Sequence, residues 1–149
     1  MRPIQRILVP TDFSECSGAA AAVADQLAKQ IGAAIELVTV VDTSPLQEAY
    51  GDEAFRNERI AHIRGVAEQK LEQFAQRHFP APRAARLHVR DGNTLSEILA
   101  AARDTGSDLI VMGTQGRTGL THLLIGSVAE KVVRHSEIPV ITVRPSRPE

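Results

Sequence analysis

Five short apolar runs, rich in β-branched residues, punctuate the chain: "RILVP" (6–10), "AIELVTVV" (34–41), "ARLHVR" (85–90), "DLIVMG" (108–113) and "PVITVR" (139–144). Runs of this length and composition suit strands. Between them, apolar positions recur every three or four residues. Cys16, Ala20, Val23, Leu27 and Ile31 form one set, Ile60, Ile63, Ala67, Leu71 and Phe74 a second, Leu95, Ile98, Leu99 and Ala102 a third, and Val128, Val132 and Val133 a fourth. Each set paints one face of a helix. Thr94 and Ser127 each stand three residues before a glutamate, the spacing of a capping box, and Gly32 and Gly106 fall where helices should end. Pro80 and Pro82 separate the second helix from the third strand.

The predicted order is β-α-β-α-β-α-β-α-β. Right-handed crossovers turn it into an α/β, doubly wound, five-stranded parallel sheet flanked by four helices. Ligands of such sheets bind beyond the carboxyl ends of the strands, where the winding reverses, so the loops after the first and fourth strands are the places to look. The stretch "DTSPLQEAYGDEAFRNER" (42–59) is polar and without period. It is expected to be an irregular, mobile loop near the site mouth.

Composition narrows the picture. The 149 residues suit one domain spanning 1–149. With 43% apolar but only 3% aromatic residues, the core must be aliphatic, as where helices cover a buried sheet. A formal net charge of −1, and lysine only at Lys29, Lys70 and Lys131, offers no footprint for nucleic acid or an anionic membrane. The single cysteine, Cys16, excludes an internal disulfide and reads as a small buried thiol. The opening "MRPIQRILVPTDFSE" lacks the apolar stretch of a signal peptide or membrane span, so a cytoplasmic protein is expected. His62, His78, His88 and His135 show no metal-ligand spacing, and His122 has no carboxylate partner at a recognisable distance along the chain. No catalytic or metal-ligating residue is assigned.

Candidate chemistry concentrates in "MGTQGRTGLTHLLIGSVAEK" (112–131). Gly113 closes a buried strand, where a missing side chain lets a ligand approach the backbone, and Gly116 permits a sharp turn. Gly126-Ser127 opens a helix whose unpaired amides and positive dipole end suit a phosphate. A plainer reading fits the same residues: Gly113 marks a strand end, Gly116 and Gly119 serve turns, and Ser127 with Glu130 caps the helix. Spacing alone does not separate the two. Neither GxxxxGK[ST] nor GxGxxG occurs, which excludes the usual phosphate motifs.

Gly113-x2-Gly116-x9-Gly126-Ser127, after an apolar strand and before "VAEKVVRHSEIPVITVRP", resembles the nucleotide-binding signature of the universal stress protein family. The likeness runs through nearly the whole chain, with "RILVPTDFSE" similar to the family's first strand and acidic turn. It implies a Rossmann-like sheet of order 3-2-1-4-5 and, in the ATP-binding branch, a site built from the ends of the first and fourth strands. By that resemblance Pro10, Thr11 and Asp12 line the adenine and ribose side, and Val40 meets the base edge. Met112 and Gly113 form the floor under ribose and α-phosphate, and Gly116, Gly126, Ser127 and Val128 cradle the phosphates. Asp12 could also help hold a divalent ion, or merely cap the first helix as Ser14 could; Arg117 could reach a terminal phosphate or stay solvated.

The implied function is a nucleotide-dependent stress-response or signalling module that holds ATP with Mg or Mn and lacks fast catalysis, with slow hydrolysis or autophosphorylation left open. A homodimer through the last strand, Val140 to Val143, accords with both the family likeness and the apolar character of that strand. Two rival functions remain. An adenylating enzyme would carry an SGGxDS-like loop or HxGH, and neither occurs. An interaction module would leave the glycine loop structural.

Overall fold

A computed structural model describes residues 2–49, 51–115 and 125–145. The elements run β1 (Arg6–Pro10), α1 (Glu15–Ile31), β2 (Ala34–Val41), α2 (Ser44–Ala49), α3 (Glu53–His78), β3 (Arg86–Asp91), α4 (Thr94–Asp104), β4 (Leu109–Gly113), α5 (Ser127–His135) and β5 (Val140–Val143). The strands form one parallel sheet of order β3-β2-β1-β4-β5, as expected.

Burial on both faces explains the nearly continuous apolar strands. Ile7, Val9, Ile35, Leu37, Leu109 and Val111 point to one side, against Ala20, Ala21, Ala24 and Ala28 of α1 and Leu71 and Phe74 of α3. Leu8, Val38, Ile110 and Met112 point to the other, against Ile98 and Ala101 of α4 and Ala129 and Val132 of α5. Each large aliphatic side chain so removed from water contributes about 1.5–3 kcal/mol. The alanines of α1 leave that helix close to the sheet: Cys16, also buried, donates from Sγ to the Val143 carbonyl at 3.3 Å. Val133 and Ile31, counted with the apolar helix faces, are instead 51% and 49% exposed.

β1 is central because the chain first winds to β2 and β3 on one side, then crosses to β4 and β5 on the other. The winding therefore reverses between β1 and β4, whose carboxyl ends open a crevice.

Three local expectations need correction. Segment 42–59 is largely helical, so the sheet carries five helices rather than four. Asp42 Oδ1 accepts from the Ser44 amide at 3.0 Å to start α2, and Asp52 caps α3 through the Ala54 amide at 3.0 Å. The face of α3 over this stretch is largely exposed, so no apolar period marked it. Thr94 is the first helical residue of α4, and its cap is Asn93, whose Oδ1 accepts from the Ser96 amide at 3.0 Å. Glu97 does not turn back to close a box; it binds Arg90 at 2.7 Å, the largest influence holding that guanidinium above its ordinary pKa. Ser127 likewise does not cap α5: Gly126 occupies the cap, and Glu130 pairs with Arg134 at 3.2 Å. Gly32 and Gly106 do follow helix ends, with φ of 73° and 62°.

Candidate functional site

The turn after β1 is held from three directions. The Thr11 amide donates to the Val38 carbonyl at 2.8 Å, and Thr39 Oγ1 donates to the Thr11 carbonyl at 2.9 Å, fastening the turn to β2. Thr11 Oγ1 then accepts from the Phe13 amide at 3.0 Å. Phe13 adopts φ of 69°, a left-handed conformation that costs a side-chain-bearing residue about 1–2 kcal/mol. Its ring packs edge-on against Phe74 with centroids 6.1 Å apart, and Lys70 Nζ lies 6.0 Å from the ring centre. Tertiary packing thus holds the backbone where it aims Asp12 at the crevice.

Ser14 caps α1 through the Ser17 amide. This settles the alternative for Asp12, which is not the cap. Its Oδ1 accepts from the Ser14 amide at 3.1 Å and from Ser17 Oγ at 2.7 Å.

The opposite wall comes from the end of β4. The Thr114 amide donates to the Val143 carbonyl at 3.0 Å, and the Thr114 carbonyl accepts from the Gly126 amide at 2.5 Å. That second bond brings the start of α5 back beside the end of β4. Gly126 has no side chain to cap the helix, and the first bond of the helix runs from the Glu130 amide to the Gly126 carbonyl at 3.0 Å. Among the described residues no side chain caps the amides of Ser127, Val128 and Ala129, which begin α5 at its positive dipole end.

Between these walls lies a cavity of about 290 Å³. Pro10, Thr11, Asp12, Val40, Met112, Gly113, Gly126, Ser127 and Val128 all line it. Gly116 and Arg117 lie outside the described residues, as do Gly119 and His122. Ser17, Val38, Thr94, Ile98, Thr114, Gln115 and Ala129 also line the cavity, though the motif did not point to them. The spacing Asp12-x-Ser14-x-x-Ser17 was a usable signal for Ser17, because an Asx turn running into a capped helix brings these side chains together. Val38, Val40, Ile98 and Met112 give the cavity an apolar slot, and Asp12 is the one ionisable group among the described lining residues.

Gly113 and Gly126 each have a packing role. A Cβ on Gly113 would stand 2.7 Å from Cys16 Sγ and 3.0 Å from the Cys16 carbonyl carbon, and one on Gly126 would stand 2.8 Å from the Thr114 carbonyl oxygen. Gly113 lets α1 close on β4, and Gly126 lets α5 close on Thr114. These contacts by themselves require glycine at both positions, and both glycines also line the cavity.

Among the described residues no three His, Cys, Asp or Glu side chains gather to hold a metal ion, and no helix is long and apolar enough to cross a membrane.

Known proteins share this architecture. A model of the universal stress protein family matches residues 3–144. Universal stress protein MJ0531 of Methanocaldococcus jannaschii is 34% identical over 97% of this chain and 85% of its own length. The solved structure of hypothetical protein MJ0577, from the same organism, is similar at a TM-score of 0.86 and 28% identity, covering 99% of this chain and all (100%) of that one. A universal stress protein solved in complex with cAMP shares the fold at a TM-score of 0.65 and 24% identity, over 97% of this chain and 100% of that one. With the family model matched over residues 3–144 and a curated member 34% identical along 97% of it, the chain belongs to the universal stress protein family.

Proposed function

We propose that the carboxyl-end cavity binds an adenine nucleotide, ATP first among them, and that the chain acts in the cytoplasm as a nucleotide-dependent stress-response or signalling module without fast catalysis. The observation that carries this reading is the convergence on one cavity of an apolar slot, a carboxylate on a fastened turn and the uncapped amides of a helix start. These match the flat base, the sugar hydroxyls and the phosphates of a nucleotide in turn. The cAMP complex of a family member supports the choice of an adenine nucleotide. Gly116 and Arg117 complete the phosphate side in this reading. A bound Mg or Mn ion would have Asp12 as its one carboxylate among the described lining residues, so it would ride on the phosphates rather than in a protein cage.

The site offers binding and positioning. Val40 and Met112 would hold the base away from water, Asp12 would accept from the sugar or base, and the amides of Ser127 and Val128 would bind phosphate oxygens. Neither nucleic acid nor a membrane is a partner in this reading.

A second copy of the chain pairs along β5. Each sheet edge exposes one large apolar side chain, Leu87 on β3 at 39% and Ile141 on β5 at 37%, but at β3 Arg64 of α3 donates to the Val89 carbonyl at 3.0 Å and to Asp91 Oδ1 at 2.7 Å, occupying part of that edge. Blocked edges resist pairing and bare apolar ones invite it.

Amide resonances test the site reading. Titrating ¹⁵N-labelled protein with ATP and magnesium should shift the amides of Thr11, Asp12, Ser127, Val128 and Ala129 first. Shifts confined to other surfaces would overturn the assignment.

A further inference from the structure

We infer that Ser17 is a positioning residue for the nucleotide: its hydroxyl holds the Asp12 carboxylate in the orientation that meets the ligand. The inference rests on the site reading above and extends it to a side chain that the glycine motif does not contain.

Every proton in the cluster has a place. The Ser17 hydroxyl can donate once, and Asp12 Oδ1 at 2.7 Å is its acceptor. Ser17 Oγ itself accepts from the Asp12 amide at 3.3 Å and from the Ser14 hydroxyl at 3.2 Å. Ser14 Oγ in turn accepts from the Ser17 amide at 3.2 Å, which is the cap of α1. Ser17 is 5% exposed, lines the cavity and sits in the first turn of α1, so its Oγ is anchored by the helix itself. A charge-assisted bond from a buried hydroxyl fixes a short carboxylate far better than solvent does. The Asp12 Oδ1 atom is thus tied to α1 through Ser17 and to the turn through the Ser14 amide. The cap survives removal of the Ser17 hydroxyl, because it uses the Ser17 amide.

A double-mutant cycle with ATP and magnesium tests this, read by calorimetry on Ser17→Ala, Asp12→Asn and the double variant, with Ser17→Thr as the variant that keeps a hydroxyl. Asp12→Asn should weaken binding about tenfold, the loss of one strong hydrogen bond. Ser17→Ala should weaken it several-fold, Ser17→Thr should restore most of that loss, and the double variant should bind no worse than Asp12→Asn alone. Wild-type affinity in Ser17→Ala, or losses that multiply in the double variant, would overturn the inference. A readout free of nucleotide separates the two levels: the Asp12 carboxyl ¹³C resonance of the unliganded protein should move in Ser17→Ala. If wild type binds no ATP yet that resonance moves, the site reading fails while the hold of Ser17 on Asp12 stands. If ATP binds and the resonance stays in place, the site reading stands and the positioning role is lost.

Discussion

Each end of the sheet carries a hollow. The one at the carboxyl end has a volume of about 290 Å³, and the one at the amino end about 370 Å³, with Arg2, Arg103, Asp108 and His135 over an apolar floor that includes Ile4 and Ile138. Size therefore does not single out the carboxyl end. The difference lies in what the helices bring: α5 begins at the carboxyl-end hollow and points uncapped amides into it, whereas α4 and α5 finish at the amino end. Arg103 and His135 sit in those last turns, where cations answer the carbonyl end of a helix dipole. Asp108 is committed too, with Oδ2 accepting from the amides of Gln5 and Arg6 at 2.9 and 3.1 Å. At the amino end Asp108 has backbone partners of its own, whereas among the described residues no side chain caps the amides that open α5.

The sharpest way to break this contrast is to reverse the charge at the helix start. Ser127→Glu places a carboxylate at the first position of α5, which the dipole favours by up to ~0.5 kcal/mol, but directly against the phosphates. ATP affinity should fall at least ~100-fold while the melting temperature holds or rises. Calorimetry and thermal unfolding on the same sample check both. Second in size is Gly113→Ala, whose new Cβ meets Cys16; unfolding in urea should show a loss of about 1–3 kcal/mol. A fold left untouched by that change would return Gly113 to a ligand-access role. At the other end, Arg103→Glu should cost about 0.3–1 kcal/mol by setting a negative charge on the carbonyl end of α4, and should leave ATP affinity unchanged. A large loss of affinity there would make the amino-end hollow part of the site.

The smallest effect concerns His78, whose ring centre lies 4.3 Å from that of Phe74 with the planes tilted by 45°. Burial, and then Arg77, hold its pKa below the ordinary 6.5. The unfolded chain therefore takes up the proton first as pH falls. The stability contributed by neutral His78 is full above 6.5 and is lost progressively below it, down to the folded value. In His78→Gln, urea midpoints should fall less between about pH 7.5 and about pH 5.5 than in wild type.

The sheet was legible because β1, β2 and β4 are buried on both faces, so their apolar runs are nearly unbroken. The start of α3 was not, because an exposed helix has no apolar stripe to announce it. Capping was misplaced by one residue at both Asn93 and Gly126: the Thr and Ser that follow fit the capping-box spacing, but the backbone turns one residue earlier. Nine of the residues that the family resemblance named line one cavity, three of them from the glycine motif itself. It could not reveal why Gly113 and Gly126 are glycine, since the contacts lie with Cys16 and Thr114, and Cys16 is distant in sequence from Gly113. Phe13 was equally unreadable, because its left-handed backbone is compensated by packing on Phe74 from another helix.

The central claim is that the carboxyl-end cavity holds an adenine nucleotide. Calorimetric titration of the purified wild-type protein with ATP and magnesium, beside Ser127→Glu, tests it most directly. Saturable binding of one nucleotide per chain that disappears in Ser127→Glu is the predicted result. No heat of binding in wild type, together with no adenine nucleotide released when the purified protein is denatured, would contradict it.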